Sequence, residues 1–227
     1  MQKLDWKVCA VANGFLLRIK YVKRGPLAFL SHLETVRSIE RIIRRANFPY
    51  AISEGFNPHM KIAFGAALPV GAASRGEYVD VRLTEYIAPE KALAALQAQS
   101  VEQLMPIECF YINSQDLAAS VAFPLSVWRA EIHGSTLCEV KDAMEKLLQK
   151  GSIEVIRKNK KPKTVEFEGR LVEGPELVDK VDFVEINFST LAREDGSLRP
   201  DKFLQAALEE ISGAEFTNLE RIEQKQV

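Results

Sequence analysis

The chain is 227 residues long, room for one large domain or two small ones. With 47% hydrophobic and 27% charged residues it is not a disordered sequence, and its formal net charge of −1 gives no bulk attraction for a polyanion. The cysteines Cys9, Cys109 and Cys138 are widely spaced and form no CxxC pair. This excludes a disulfide framework and a cysteine-based zinc or iron–sulfur site, so no metal or cofactor is expected and a reducing compartment fits.

The opening stretch Met1–Ala12 places Lys3, Asp5 and Lys7 around Trp6 and lacks the apolar core of a signal peptide. No run approaches the roughly 20 apolar residues that span a bilayer, so the expectation is a cytoplasmic protein with no membrane partner. Leu17, Ile19 and Tyr21 alternate with Arg18 and Lys20, which predicts a strand with one buried face. Ser31 and Glu34 have capping-box spacing and predict a helix start. Leu33, Val36, Ile39, Ile43 and Ala46 are its expected apolar stripe, and Asn47 and Pro49 end it. Glu77–Leu83 reads as a strand, Pro89 as the first turn of a second helix carrying Leu93 and Leu96, and Ile107–Ile112 as a closing strand.

The order then recurs. Trp128, Ala130 and Ile132 mark a strand, Leu137–Leu148 a helix, and Ile153–Ile156 with Val165–Phe167 a hairpin. Val181–Phe188 follows as a strand, Pro200–Ile211 as a helix and Glu215–Ile222 as a last strand. Three ordered overlays support a duplication: Ser31–Arg37 on Ser135–Lys141 (offset 104), Tyr78–Leu83 on Phe183–Phe188 (offset 105) and Pro89–Leu93 on Pro200–Leu204 (offset 111). The expected fold class is α+β, a tandem duplication of ferredoxin-like βαββαβ halves. The expected domains are residues 1–115, with a basic helix and a GFNPH loop, and residues 123–227, with a Lys-rich hairpin.

Charge is strongly local. From Gly14 to Lys61 there are nine Lys or Arg against three Glu, a net +6. At about 100° per helical residue, Arg37, Arg41 and Arg44 fall on one face with Arg45 beside them, a stripe suited to phosphates. A solvated face with Glu40–Arg44 and Glu34–Arg37 pairs is the competing reading. Beyond the helix, Gly55 and Pro58 stiffen a loop bearing Phe56, Asn57, His59 and Lys61, a combination able to stack on a base and hold a phosphate. A structural turn with Phe56 packed inward is the alternative. The corresponding connection of the second half carries Arg157, Lys158, Lys160, Lys161 and Lys163, five cations in seven residues, which a solvated hairpin tip also explains.

Of the histidines, His32 and His59 are weak catalytic candidates for a metal-independent endoribonuclease, with no third group in view. No Walker loop, dinucleotide-binding glycine fingerprint or GxSxG elbow is present.

The run Gly25-Pro26-Leu27, Phe29-Leu30-Ser31-His32, Arg41, Arg44-Arg45-Ala46, Ser53, Gly55-Phe56-Asn57-Pro58-His59, Lys61, Phe64, Leu68-Pro69, Gly71, Ser74 and Glu77-Tyr78 resembles a bacterial family of radical SAM-linked proteins, a domain of unknown function. The match is dense over about a quarter of the chain and looser elsewhere, including Leu198-Arg199-Pro200. It departs at Glu54, where the family has glutamine, and at Met60, where it has proline. Members of that family stand free or fused to radical-SAM domains, so the resemblance implies a radical-SAM protein as partner. The function expected is a non-catalytic accessory or substrate-binding protein that presents tRNA or rRNA to such an enzyme. A metal-independent endoribonuclease or RNA-modifying enzyme using His32 and His59, and a purely structural module docking an acidic protein, are the alternatives.

Overall fold

The computed structural model describes residues 14–113, 115–157 and 160–227, with the backbone alone at Arg157 and Lys160. The architecture is mixed α+β, and the chain divides into two compact units. The first runs to Val22 and adds His32–Ala66 and Glu77–Ala122. The second takes Phe123–Val227 together with Lys23–Ser31 and Ala67–Gly76. The division is therefore not a single cut between residues 115 and 123.

In the first unit, β1 (Phe15–Lys23) buries Leu17, Ile19 and Tyr21, as its alternation predicts. Helix α1 spans His32–Arg45. It stops where expected: Asn47 adopts a left-handed φ of 53°, its N–H donates to Arg44 O (3.1 Å) and the N–H of Phe48 donates to Ile43 O (3.3 Å). This is the Schellman closure, and the buried Phe48 supplies its apolar contact. The apolar stripe differs from the expectation. Thr35, Ile39, Ile42 and Ile43 are buried, whereas Leu33 is 67% exposed. At about 100° per residue Leu33 lies roughly 160° from Thr35, on the arginine side. Strand β2 (Ile62–Phe64) pairs antiparallel with β3 (Ala73–Leu83), Ile62 opposite Val81 and Phe64 opposite Val79. Helix α2 (Pro89–Gln97) starts with Pro89 in its first turn and buries Ala92 and Leu96. Strand β4 (Pro106–Ile112) pairs antiparallel with β1. The strand order is β4–β1–β3, with β2 on β3, and a short helix α3 (Ala119–Ala122) closes the unit.

A buried ion pair lies in this unit. Arg18 and Asp80 are each 2% exposed, at 2.7 Å. Arg18 Nη2 also donates to Leu117 O (2.6 Å), and Asp80 Oδ2 accepts from the N–H of Ala119 (2.8 Å). A charge pair withdrawn from water persists when its remaining hydrogen-bonding capacity is met in this way. It ties the segment leading into α3 to the polar face of the strands.

In the second unit, β5 (Leu125–His133) buries Trp128, Ala130 and Ile132. Helix α4 (Leu137–Lys150) begins in a capping box: Glu139 N–H donates to Thr136 Oγ1 while Thr136 N–H donates to the Glu139 carboxylate. It ends at Gly151 with φ 72°. Helices α1 and α4 are both 14 residues long and start 105 residues apart (137 − 32). The offset of 104 in the overlay of Ser31 on Ser135 differs by one from this spacing, and Thr136 is the residue that caps α4. Strands β6 (Ser152–Arg157) and β7 (Lys160–Glu166) form the expected hairpin, with Ile153 opposite Val165.

Strand β8 (Leu171–Asp179) escapes the sequence reading because Gly174 and Pro175 interrupt its pattern and its register shifts twice. Strand β9 runs Val184–Leu191 and not from Val181, which is fully exposed. Helix α5 spans Pro200–Leu208, and β10 spans Glu215–Lys225. The strand order is β10–β5–β9–β8, antiparallel throughout, and β10 also pairs in parallel with Ala73 and Ser74 at the start of β3. The core is one cluster around Phe203, which touches Phe167 and Phe188 ring to ring. Among the described residues no helix is long and apolar enough to cross a membrane.

Candidate nucleic-acid interface

The basic face is held by the first unit. Burial of Thr35, Ile39, Ile42 and Ile43 fixes the rotation of α1 and turns Arg37, Arg41, Arg44 and Arg45 outward, all exposed. Arg44 Nη2 pairs with Glu40 at 3.2 Å, an i,i+4 contact between partly exposed groups worth a few tenths of a kcal/mol. Leu33 sits on the same side, a member of this face that the apolar-stripe count misassigned.

After the Schellman turn the chain forms two arms against β3. Ala51 N–H donates to Arg82 O (2.8 Å), Arg82 N–H to Lys61 O (3.0 Å) and Lys61 N–H to Ala51 O (2.8 Å), while Ile52 bridges Met60. Met60, one of the departures from the resembled family, is buried in the core. Between the arms, Ser53–His59 is a closed loop. Ser53 N–H donates to His59 O (2.8 Å) and His59 N–H donates to Ser53 Oγ (3.1 Å). His59 Nδ1 lies 2.9 Å from Ser53 Oγ and 3.1 Å from Asn57 O, so Nε2 is the ring nitrogen the loop does not engage. Gly55 takes φ 122°, a conformation that side-chain-bearing residues avoid, and Phe56 at the tip is 109% exposed. Phe56 is not packed inward. Asn57, His59 and Lys61 are exposed with it. Ser53 stands in the resembled run, which gives it no role; its signal is a hydroxyl placed to meet a histidine across a Gly-Phe-Asn-Pro turn.

The two histidines have different partners. His32 packs edge-on against Phe64, with centroids 5.7 Å apart, while His59 is anchored by Ser53 and Asn57. Neither contact builds an acid–base pair.

The cations of the second unit divide. Lys158 and the side chains of Arg157 and Lys160 lie outside the described residues. Lys161 is exposed. Lys163 donates to Asp195 O (2.7 Å), and the Asp195 carboxylate pairs with Arg170, which holds its carboxyl below the usual range. Lys163 therefore secures the 193–196 turn. The conspicuous Gly25-Pro26-Leu27 motif is likewise structural: Gly25–Phe29 is a 3-10 turn whose carbonyls at Ala28 and, just beyond, Leu30 accept from the buried ammonium of Lys23 (3.0 and 2.9 Å).

Among known proteins, the chain is similar at 12% identity and a TM-score of 0.49 to a solved chain described as "Crystal Structure of a Cbf5-Nop10-Gar1 Complex", over 93% of this chain and 49% of that one. This chain thus spans about half the length of that relative. A structure described as a putative glycine cleavage system transcriptional repressor matches at 10% identity and a TM-score of 0.23, covering 91% of this chain and 98% of the other. At such scores neither likeness carries an argument. No curated protein matches. A family profile, in contrast, matches residues 16–200, a span that takes in the arginine face, the Ser53–His59 loop and the start of α5, and the chain belongs to that family, described as "Uncharacterized protein conserved in bacteria (DUF2344)".

Proposed function

We propose that this protein is a non-catalytic RNA-binding accessory factor that presents tRNA or rRNA to a radical-SAM enzyme in the cytoplasm. The observation that carries the proposal is the exposed α1 face, where Arg37, Arg41, Arg44 and Arg45 stand in a row opposite the buried residues of the same helix, Arg44 pairing with Glu40. Guanidinium groups on a fixed spacing suit phosphates along a strand better than a dispersed surface does. Lys61 adds to the cations of the first unit, and Lys161 is an exposed cation of the second. The radical-SAM partner rests on the resemblance of the Gly25–Tyr78 run alone.

The scaffold in this reading is a pair of ferredoxin-like halves. Support comes from the strand orders β4–β1–β3 with β2 and β10–β5–β9–β8, and from matched helix lengths: 14 residues in α1 and α4, nine in α2 and α5. The β6–β7 hairpin is then an insertion in the second half, and of the domains expected at residues 1–115 and 123–227 the first contributes segments 23–31 and 67–76 to the second unit.

Filter binding of bulk tRNA across a salt series tests the function. A linear fall of log affinity with log salt is expected. The triple change Arg37→Ala, Arg41→Ala, Arg45→Ala should flatten its slope by about 2, at roughly 0.7 for each single-strand phosphate that is no longer neutralised. Salt-independent retention, or none at all, defeats the proposal. Recovery of a radical-SAM protein on the tagged chain after nuclease treatment tests the partner.

A further inference from the structure

The arginine face supplies affinity for any phosphate backbone and has no means of choosing among RNAs. The Ser53–His59 loop has. Among the described residues Phe56 is the most exposed of the large apolar side chains, so its ring contributes nothing to the core. Water is an unfavourable surrounding for such a ring, and yet the chain holds it there. Gly55 adopts a conformation suited to glycine, and the loop is closed by the Ser53–His59 backbone bond and by both contacts of His59 Nδ1. Closure in advance means that little conformational freedom is lost when a ligand arrives. The same hydrogen bonds leave the Nε2 edge of His59 and the amide of Asn57 as exposed polar groups beside the ring. Lys61 is exposed immediately after the loop.

We infer that this loop is a base-capturing finger: Phe56 stacks on the face of an unpaired nucleobase while His59 Nε2 and the Asn57 amide meet its edge, so the RNA selected is single-stranded or looped. The inference rests on the RNA-binding reading above and deepens it. A duplex hides the faces of its bases within the stack, and only a splayed base offers one to an aromatic ring. A protein partner is the less fitting occupant. Anchoring rings at protein interfaces sit amid other apolar groups that exclude water, whereas the rest of this loop is Ser53, Glu54, Gly55, Asn57, Pro58 and His59.

Fluorescence anisotropy decides the matter with two probes, an unstructured RNA oligonucleotide and the same strand annealed to its complement. The wild-type chain is expected to prefer the single strand. Phe56→Leu should weaken single-strand binding roughly tenfold and leave duplex binding unchanged, and Phe56→Tyr should restore the preference. The melting temperature should not move in either variant, because the side chain is outside the core. If Phe56→Leu binds the single strand as the wild type does, with its salt dependence intact, the finger is overturned and the electrostatic reading stands. If that variant instead loses co-purification with a radical-SAM protein at unchanged RNA affinity, the loop is a protein anchor and the inference is again overturned. Absence of binding to either probe by the wild type overturns both.

Discussion

Arg18 and Asp80 show how far a single residue's role can lie from its sequence neighbourhood. Asp80 belongs to a strand legible from its alternation, but its partner is 62 positions away, and nothing in either local pattern names the other. Removing one member of such a pair leaves the other charge stranded in a medium that solvates it poorly. Asp80→Ala is expected to destabilise the fold by about 3–5 kcal/mol, read as a lowered urea midpoint. Cysteine chemistry separates at the same scale. Burial, with the nearby Glu108 carboxylate, pushes the Cys109 thiol up to about 12, so it stays protonated at neutral pH, whereas Cys138 is exposed. Iodoacetamide at pH 7 should alkylate Cys138 in the native protein and reach Cys109 only after denaturant is added, as mass spectrometry of the digested protein would show.

At the scale of elements, capping and burial decide what the chain does. The Thr136 N-cap is worth about 1 kcal/mol to α4, so Thr136→Ala should lower the thermal midpoint by a few degrees. Hydrogen bonds from the Thr136 backbone N–H and then from its hydroxyl hold the Glu139 carboxyl below its ordinary 4.5. A carboxyl whose value is lowered by folding stabilises the protein fully above the unfolded value and loses that contribution as pH falls through the folded one. The melting difference between wild type and Glu139→Ala should therefore be constant above pH 4.5 and shrink below it. Helix α1 teaches the complementary lesson. Its existence, its end at Asn47, its arginine face and the burial of Ile39 and Ile43 could be read from spacing, yet the rest of the buried stripe could not, because Leu33 satisfies an apolar count while Thr35 does not. Only packing reveals that the helix turns its threonine inward and its leucine out. Likewise the Ser53–His59 loop was recognisable by its glycine and proline, but the direction of Phe56 depends on hydrogen bonds that composition does not encode.

At the scale of the molecule, a repeat of strands and helices is what three short overlays lead one to expect, and the helix starts lie 105 residues apart for the first pair (137 − 32) and 111 for the second (200 − 89). What no overlay contained is the assignment of two N-terminal segments to the second unit. The second unit includes 23–31 and 67–76; Ser74 pairs with Arg221, and Gln224 Nε2 donates to Gly76 O at 2.8 Å. A fragment cut at residue 123 lacks these strands and turns. It is expected to unfold at lower urea than the intact chain and to elute heterogeneously on gel filtration, with one flank of β10 uncovered. The opposite end of that strand order has a different character. Strand β8 closes the order with Gly174, Pro175 and two slips of register, the same irregularities that disguised it in the sequence. A terminal strand with regular spacing would be a template on which further copies could grow into cross-β fibres. The missing amide of Pro175 and the uneven spacing blunt β8 as such a template, which matters in a protein whose formal net charge of −1 supplies little repulsion between its copies.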